Sequence, residues 1–84
     1  MSWSLEWTPR ALRELRKLDG PIRSRIVTSL ERYARSGEGD VLQLTAVDPP
    51  EHRLRVGDWR VRFRRDPTRT VLIILRVLPR DKAY

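Results

Sequence analysis

One short segment with alternating side chains on both sides of a two-residue turn constrains the fold most. It is HRLRVGDWRVRF, residues 52–63, in which Gly57-Asp58 separates two runs of alternating apolar and basic residues. Glycine at the first turn position suits a two-residue β-hairpin, because it readily adopts a positive φ. Strand side chains alternate between the two faces of a sheet. The segment therefore predicts a hairpin that buries one face and carries positive charge on the other.

The predicted turn also fixes which side chains oppose each other. The core face is expected to hold the apolar members of the alternation: Leu54, Val56, Trp59, Val61 and Phe63. The other face is expected to expose four arginines, with Arg55 facing Arg60 and Arg53 facing Arg62. Opposed like charges destabilise a sheet by up to about 1 kcal/mol per pair, and neither run contains an acidic residue that would offset them. Since guanidinium binds phosphate bidentately, a phosphate-binding surface is favoured over a solvated strand face.

Charge and composition narrow the classes of function. The 84 residues form one expected domain, residues 1–84, with a net charge of +7. Residues 51–84 hold ten basic and four acidic side chains, whereas residues 1–50 hold eight and seven, which indicates a polyanionic partner. With no cysteine and one histidine, we expect no metal site and no cofactor. The sequence has neither a membrane-length apolar run nor a signal-peptide pattern, so we expect no membrane association and a cytoplasmic location.

The flanking segments predict the rest of the architecture. Alternation in SWSLEW predicts a first strand with Trp3 and Trp7 in the core, and helical spacing predicts helices over 9–18 and from about 21 to before Gly37. The segment VLQLTAVDPPE stays open between strand and coil, and TVLIILRVL reads as a central strand. We therefore predict an α+β fold of order βααβββ, an antiparallel sheet with a two-helix hairpin packed on one face. The helix arginines are interpreted as solvated and His52 as structural.

The hairpin segment, the apolar strand after it and the closing PRDKAY together resemble the RelE/ParE superfamily of type II toxins. Members share a basic strand, a Gly-Asp-Tyr-Arg-like turn and a late arginine followed four residues later by tyrosine. The resemblance covers essentially the whole chain and implies the same βααβββ order. It also implies a cognate antitoxin that binds through an acidic amphipathic segment, giving a hetero-oligomer.

Within that superfamily the retained basic residues resemble the RelE-like branch, whose members cleave mRNA in the ribosomal A site. The resemblance implies metal-independent attack of a ribose 2′-hydroxyl on the adjacent phosphate. The catalytic residues it implies are Arg53, Arg55, Arg60, Arg80 and Tyr84, and the additional RNA-binding residues are Arg62 and Lys82. The ribosome with its mRNA is the implied substrate.

The sequence departs from the RelE pattern where some relatives carry lysine, because positions 53 and 55 are arginine. Arginine is effectively never deprotonated, so Arg53 and Arg55 are suited to stabilise phosphate and not to act as general bases. Tyr84, Lys82, His52 or a ribosomal group remain candidates for proton transfer. Two alternatives stay open: a ParE-like inhibitor of DNA gyrase without catalysis, and an inactive relative that only binds RNA or an antitoxin.

Overall fold

The computed structural model describes residues 2–82. It contains five strands, two α-helices and a short 3₁₀ helix at Arg80–Lys82. The strands and helices, in chain order, are β1 Ser4–Trp7, α1 Pro9–Arg16, α2 Gly20–Ser36, β2 Asp40–Leu44, β3 Glu51–Val56, β4 Trp59–Asp66 and β5 Val71–Pro79. No helix within this part of the chain is long and apolar enough to cross a membrane.

The strands form one sheet in the order β1-β5-β4-β3-β2. The α+β class and the predicted order of elements are confirmed, and the segment left open between strand and coil forms the edge strand β2. The sheet is mixed and not purely antiparallel as predicted, because β1 runs parallel to β5. A period-two pattern in residues 2–7 predicts a strand but carries no information on its direction or its neighbour.

The two helices begin and end at local signals. Thr8 caps α1, since its hydroxyl oxygen accepts a hydrogen bond from the Ala11 N–H at 3.2 Å. At the start of α2 the Asp19 side chain makes no such bond, and its backbone carbonyl accepts from the Arg23 N–H at 2.9 Å. Gly37 ends α2 in the left-handed conformation, with φ of 79°.

A single core lies between the helices and one face of the sheet. Helix α1 packs on β5, and α2 contacts β1 and β3. The most completely buried large side chains come from both layers: Phe63, Ile26, Leu30, Leu54, Leu72, Ile74 and Val61. The predicted core face of the hairpin is confirmed, although Trp59 is only partly buried, as are Trp3 and Trp7.

Strand β5 contains a β-bulge that α1 holds in place. Phe63 pairs with Ile74 and Arg62 pairs with Arg76, so Leu75 is the extra residue. The Thr8 hydroxyl donates to the Ile74 carbonyl oxygen at 3.0 Å. Beyond the bulge, α1 supplies a second contact through Glu14, whose carboxylate accepts from the Arg76 guanidinium and from the Val77 backbone N–H. Contacts from Thr8 and α1 therefore flank the bulge, and β5 stays paired with β4 beyond it as far as Pro79.

Candidate nucleic-acid interface

The β3–β4 hairpin has the register that its sequence predicts. Val56 pairs with Trp59 across the Gly57-Asp58 turn, and Arg55 pairs with Arg60. Gly57 has φ of 57°, in the left-handed region that glycine adopts without strain. The two predicted arginine pairs are therefore confirmed as cross-strand neighbours.

We define the arginine face as the side of β3 and β4 that points away from the helices. By the strand alternation it holds Arg53, Arg55, Arg60, Arg62 and Arg64. Arg64 was not among the residues predicted from the sequence, although the same period of two from Arg60 through Arg62 leads directly to it. The face thus extends one position further along β4 than predicted.

Two arginines of this face are buried, which corrects the prediction that all four are exposed. Arg53 is 9% and Arg60 is 6% exposed. The Arg60 guanidinium folds back onto its own turn, where Nη1 donates to the carbonyl oxygens of Gly57 and Trp59, each at 2.9 Å. Since Gly57 is in the turn and Trp59 directly follows it, these bonds tie Arg60 to the turn and stabilise it.

The expectation that nothing offsets the opposed arginines is also wrong. Glu51, at the start of β3, pairs with Arg62 at 2.8 Å between Oε1 and Nη2. Glu51 is a diagonal neighbour of Arg62, two residues before the directly opposed Arg53, and so lies within reach of a long side chain. It precedes the alternating segment, so that segment alone gives no sign of it. A second carboxylate, Asp40 of β2, lies 4.0 Å from the Arg55 guanidinium.

Three neighbouring arginines of the face each have a side-chain N–H group without a hydrogen-bond partner among the described residues. The Nε atoms of Arg53, Arg62 and Arg64 are buried and have no hydrogen-bond acceptor among the described residues. A buried donor without an acceptor costs about 1–3 kcal/mol. The three donors lie on adjacent positions of one sheet face, where protein atoms enclose them.

The residues predicted near the C-terminus extend this surface around the hairpin turn. Arg80 and Lys82 are exposed in the 3₁₀ helix after β5, and Tyr84 lies outside the described residues. The Arg80 backbone N–H donates to the Asp58 carbonyl oxygen at 2.9 Å. A groove of about 320 Å³ lies beside this contact, lined by Asp58, Pro79, Arg80 and Asp81. The structure therefore places Arg80 at the same turn that Arg60 stabilises.

His52 lies on the opposite side of the sheet from the arginine face. Its ring stacks on Phe63 with a centroid distance of 5.5 Å. Burial, with the positive charge of Arg65, lowers the pKa of the His52 imidazole below its usual 6.5. Its position agrees with the structural interpretation and leaves it outside the candidate site. Within residues 2–82, no three His, Asp or Glu side chains are grouped so as to hold a metal ion.

The sequence matches a known protein family over residues 5–84, described as ParE toxin of type II toxin–antitoxin systems. The chain belongs to this family. It is a type II toxin of the RelE/ParE superfamily, as its sequence resemblance indicated. No curated protein matches the sequence.

Solved structures of RelE toxins share the fold over nearly the whole chain. The archaeal RelE–RelB complex of Pyrococcus horikoshii gives a TM-score of 0.80 at 22% identity, covering 99% of this chain and 100% of the other. The RelB–RelE complex of Methanococcus jannaschii gives 0.75 at 22% identity, covering 94% of each. A RelBE toxin–antitoxin complex of Mycobacterium tuberculosis gives 0.73 at 27% identity, covering 95% and 100%. The matched ParE family and these RelE toxins belong to the same RelE/ParE superfamily.

Proposed function

We propose that this toxin is a RelE-like endoribonuclease that cleaves mRNA in the ribosomal A site. The observation that carries the proposal is the clustering of five arginines on one sheet face, Arg53, Arg55, Arg60, Arg62 and Arg64. Planar guanidinium groups hold phosphate oxygens in fixed positions, and preorganised donors stabilise charge that develops in a transition state. A ribosomal substrate requires the toxin to act in the cytoplasm.

The arginines divide into two roles in this proposal. Arg53, Arg62 and Arg64 hold the phosphate backbone of the RNA, while Arg55 and Arg80, both exposed, reach the reacting phosphate. Arg60 contributes by fixing the turn between these two groups. Lys82 adds a backbone contact beside Arg80.

The proposed reaction is attack of a ribose 2′-hydroxyl on its 3′-phosphate, which releases a 5′-hydroxyl and leaves a 2′,3′-cyclic phosphate. Arginine stabilises the extra negative charge of the pentavalent phosphorane but accepts no proton from the attacking hydroxyl. Because His52 faces the other side of the sheet, the proposed proton acceptors are Tyr84, Lys82 or a group of the ribosome.

The test is cleavage of a defined mRNA on purified ribosomes by the wild-type toxin and by Arg55→Ala/Arg80→Ala. The matched control is Arg13→Ala/Arg16→Ala, which removes the same charge from exposed positions of α1. We expect A-site cleavage by the wild type and the control, and loss of cleavage by the first variant with its circular dichroism unchanged. Full cleavage by the folded first variant, or none by the wild type, refutes the proposal.

A ParE-like inhibitor of DNA gyrase is the second candidate, favoured by the description of the family that the sequence matches. The same basic surface would then bind a protein or a protein–DNA complex without any chemistry. Supercoiling by purified gyrase in the presence of the toxin separates the two candidates. Gyrase inhibition without mRNA cleavage supports this alternative, and absence of both activities leaves a protein that binds only RNA or an antitoxin.

We also propose a cognate antitoxin as the partner. The structurally similar toxins from Pyrococcus, Methanococcus and Mycobacterium were each solved in complex with an antitoxin. The net charge of +7 favours an acidic amphipathic segment that folds on the toxin. Hydrogen exchange of the co-purified complex is expected to show protection at residues 53–62, at 76–84, or at both. Protection at neither region contradicts this mode of inhibition.

A further inference from the structure

Helix α2 carries a second basic surface on its outer side. Arg25, Thr28, Ser29 and Arg32 follow each other at spacings of three, one and three residues, which places them along one side of a helix. With Ser24 they line a shallow groove of about 390 Å³. We call these five residues the α2 basic surface.

Its two arginines have no acidic partner. Among the residues that the structure describes, neither Arg25 nor Arg32 forms an ion pair, unlike Arg62, Arg69 and Arg76. The side chains that line the groove between them include no carboxylate. The positive charge of this surface is therefore not neutralised by the toxin itself.

The α2 basic surface meets the β3–β4 turn. A Cβ atom added to Gly57 would lie 3.1 Å from Arg25 Nη2, so this guanidinium lies directly against the turn. The Arg60 guanidinium contacts the same residue through the Gly57 carbonyl oxygen at 2.9 Å. Two arginines, one from the helix layer and one from the arginine face, therefore converge on Gly57. Arginines of both layers of the fold therefore meet at the end of the hairpin.

The chemistry of the groove selects the kind of partner. It is lined only by guanidinium and hydroxyl side chains, which are groups that proteins use to contact phosphate and sugar. A protein partner would need apolar or aromatic side chains at the centre of the interface, and this groove has none. We propose that the α2 basic surface binds the phosphate backbone of RNA, separately from the arginine face. This inference concerns binding alone and holds whether or not the toxin cleaves RNA.

The test is fluorescence anisotropy of a labelled 20-nucleotide single-stranded RNA with the full toxin over a range of salt concentrations. Arg25→Gln/Arg32→Gln removes the two arginines, and Arg13→Gln/Arg16→Gln removes the same charge from α1 as the matched control. Each lost phosphate contact reduces the slope of log K against log salt by about 0.7, so we expect the α2 variant to flatten the slope by about 1.4. The control is expected to keep the wild-type slope, and circular dichroism checks that both variants fold.

An equal change of slope in both variants would overturn the inference, since net charge alone would then account for binding. A wild-type slope in the α2 variant would overturn it as well. Poly-glutamate serves as a protein-like polyanion in the same assay. Poly-glutamate and unlabelled RNA are compared as competitors at the same concentration of negative charge. If both displace the labelled RNA equally, the surface binds anions in general and the assignment to RNA is wrong.

Discussion

Glu14 of α1 and Arg76 of β5 form an ion pair beside the β5 bulge, in which two guanidinium nitrogens donate to the carboxylate. The carboxylate accepts hydrogen bonds from Arg76 Nε and Nη2, at 3.1 and 2.9 Å to Oε2. Its other oxygen accepts from the Val77 backbone N–H at 2.9 Å. Burial raises the pKa of the Glu14 carboxyl, but these hydrogen bonds and the charges of Arg76 and Arg10 outweigh burial and hold the pKa below its usual 4.5.

Replacing Glu14 with Gln is expected to lower the free energy of unfolding at pH 7 by about 1.5–3 kcal/mol, as for hydrogen bonds to charged groups. A carboxyl whose pKa is lowered in the folded state contributes stability above the unfolded pKa and loses it as pH falls through the folded value. The difference between wild type and variant should therefore shrink below about pH 4.5. Urea denaturation at a series of pH values from 7 to 3 measures it, and a difference that does not change with pH would contradict this explanation.

Replacing Glu51 with Gln should have opposite effects on stability and on RNA binding. The change removes the ion-pair partner of Arg62, which costs about 1–3 kcal/mol because the guanidinium is only partly solvated. It also frees Arg62 for phosphate, so RNA affinity should rise and its salt dependence should steepen. Glu38→Gln, at an exposed loop position, provides the same charge change as a control. If both variants bind RNA equally, the Glu51 pair does not limit the arginine face.

Arg60→Ala and Arg80→Ala are expected to differ in stability. Loss of the two Arg60 hydrogen bonds should cost about 1.5–3 kcal/mol. Loss of the exposed Arg80 side chain should change stability by less than about 0.5 kcal/mol while reducing mRNA cleavage by about 10²–10³-fold. Thermal denaturation and the ribosome assay measure the two effects. Equal stability of the variants would mean that the Arg60 contacts contribute nothing to the turn.

Gly57→Ala should destabilise the toxin by about 1–2 kcal/mol, the cost of placing a side chain in the left-handed region. Gly37→Ala is the matched control, because Gly37 also has positive φ but no atom within 4 Å of an added Cβ. The two costs should be similar if the flexible Arg25 side chain moves aside, and Gly57→Asn should cost less than Gly57→Ala since asparagine tolerates this conformation. A much larger loss for Gly57→Ala than for Gly37→Ala, measured by urea denaturation, would show that Arg25 is held rigidly against the turn.

The hairpin could be predicted from sequence because its information is local. A two-residue hairpin loop adopts only a few turn types, and Gly57 supplies the positive φ that they need. Alternation on both sides of this turn leaves a single register that buries Leu54 and Val61 together. The same holds for the start of α1, where Thr8 and Pro9 give a cap and a first helical residue.

The state of the individual arginines could not be predicted because it depends on distant residues and on side-chain conformation. Arg62 is paired by Glu51 from the neighbouring strand, and the Arg60 guanidinium turns back to its own hairpin, which a strand pattern does not encode. The bulge at Leu75 comes at the end of the apolar run 71–75, which gives no local sign of it. The residues that follow it, Arg76 and Val77, bond to Glu14, which lies 62 residues before Arg76 in the chain.

The parallel pairing of β1 with β5 has a consequence for biosynthesis. β5 lies between β1 and β4, so the first strand to be translated has no neighbour in the sheet until the last strand has been made. A nascent chain that ends at Thr70 lacks the strand that supplies Leu72, Ile74 and Val77 to the core, and by circular dichroism it should be unfolded. We therefore expect this toxin to fold only after residues 71–79 have been synthesised. A chain whose translation stops before them should not fold.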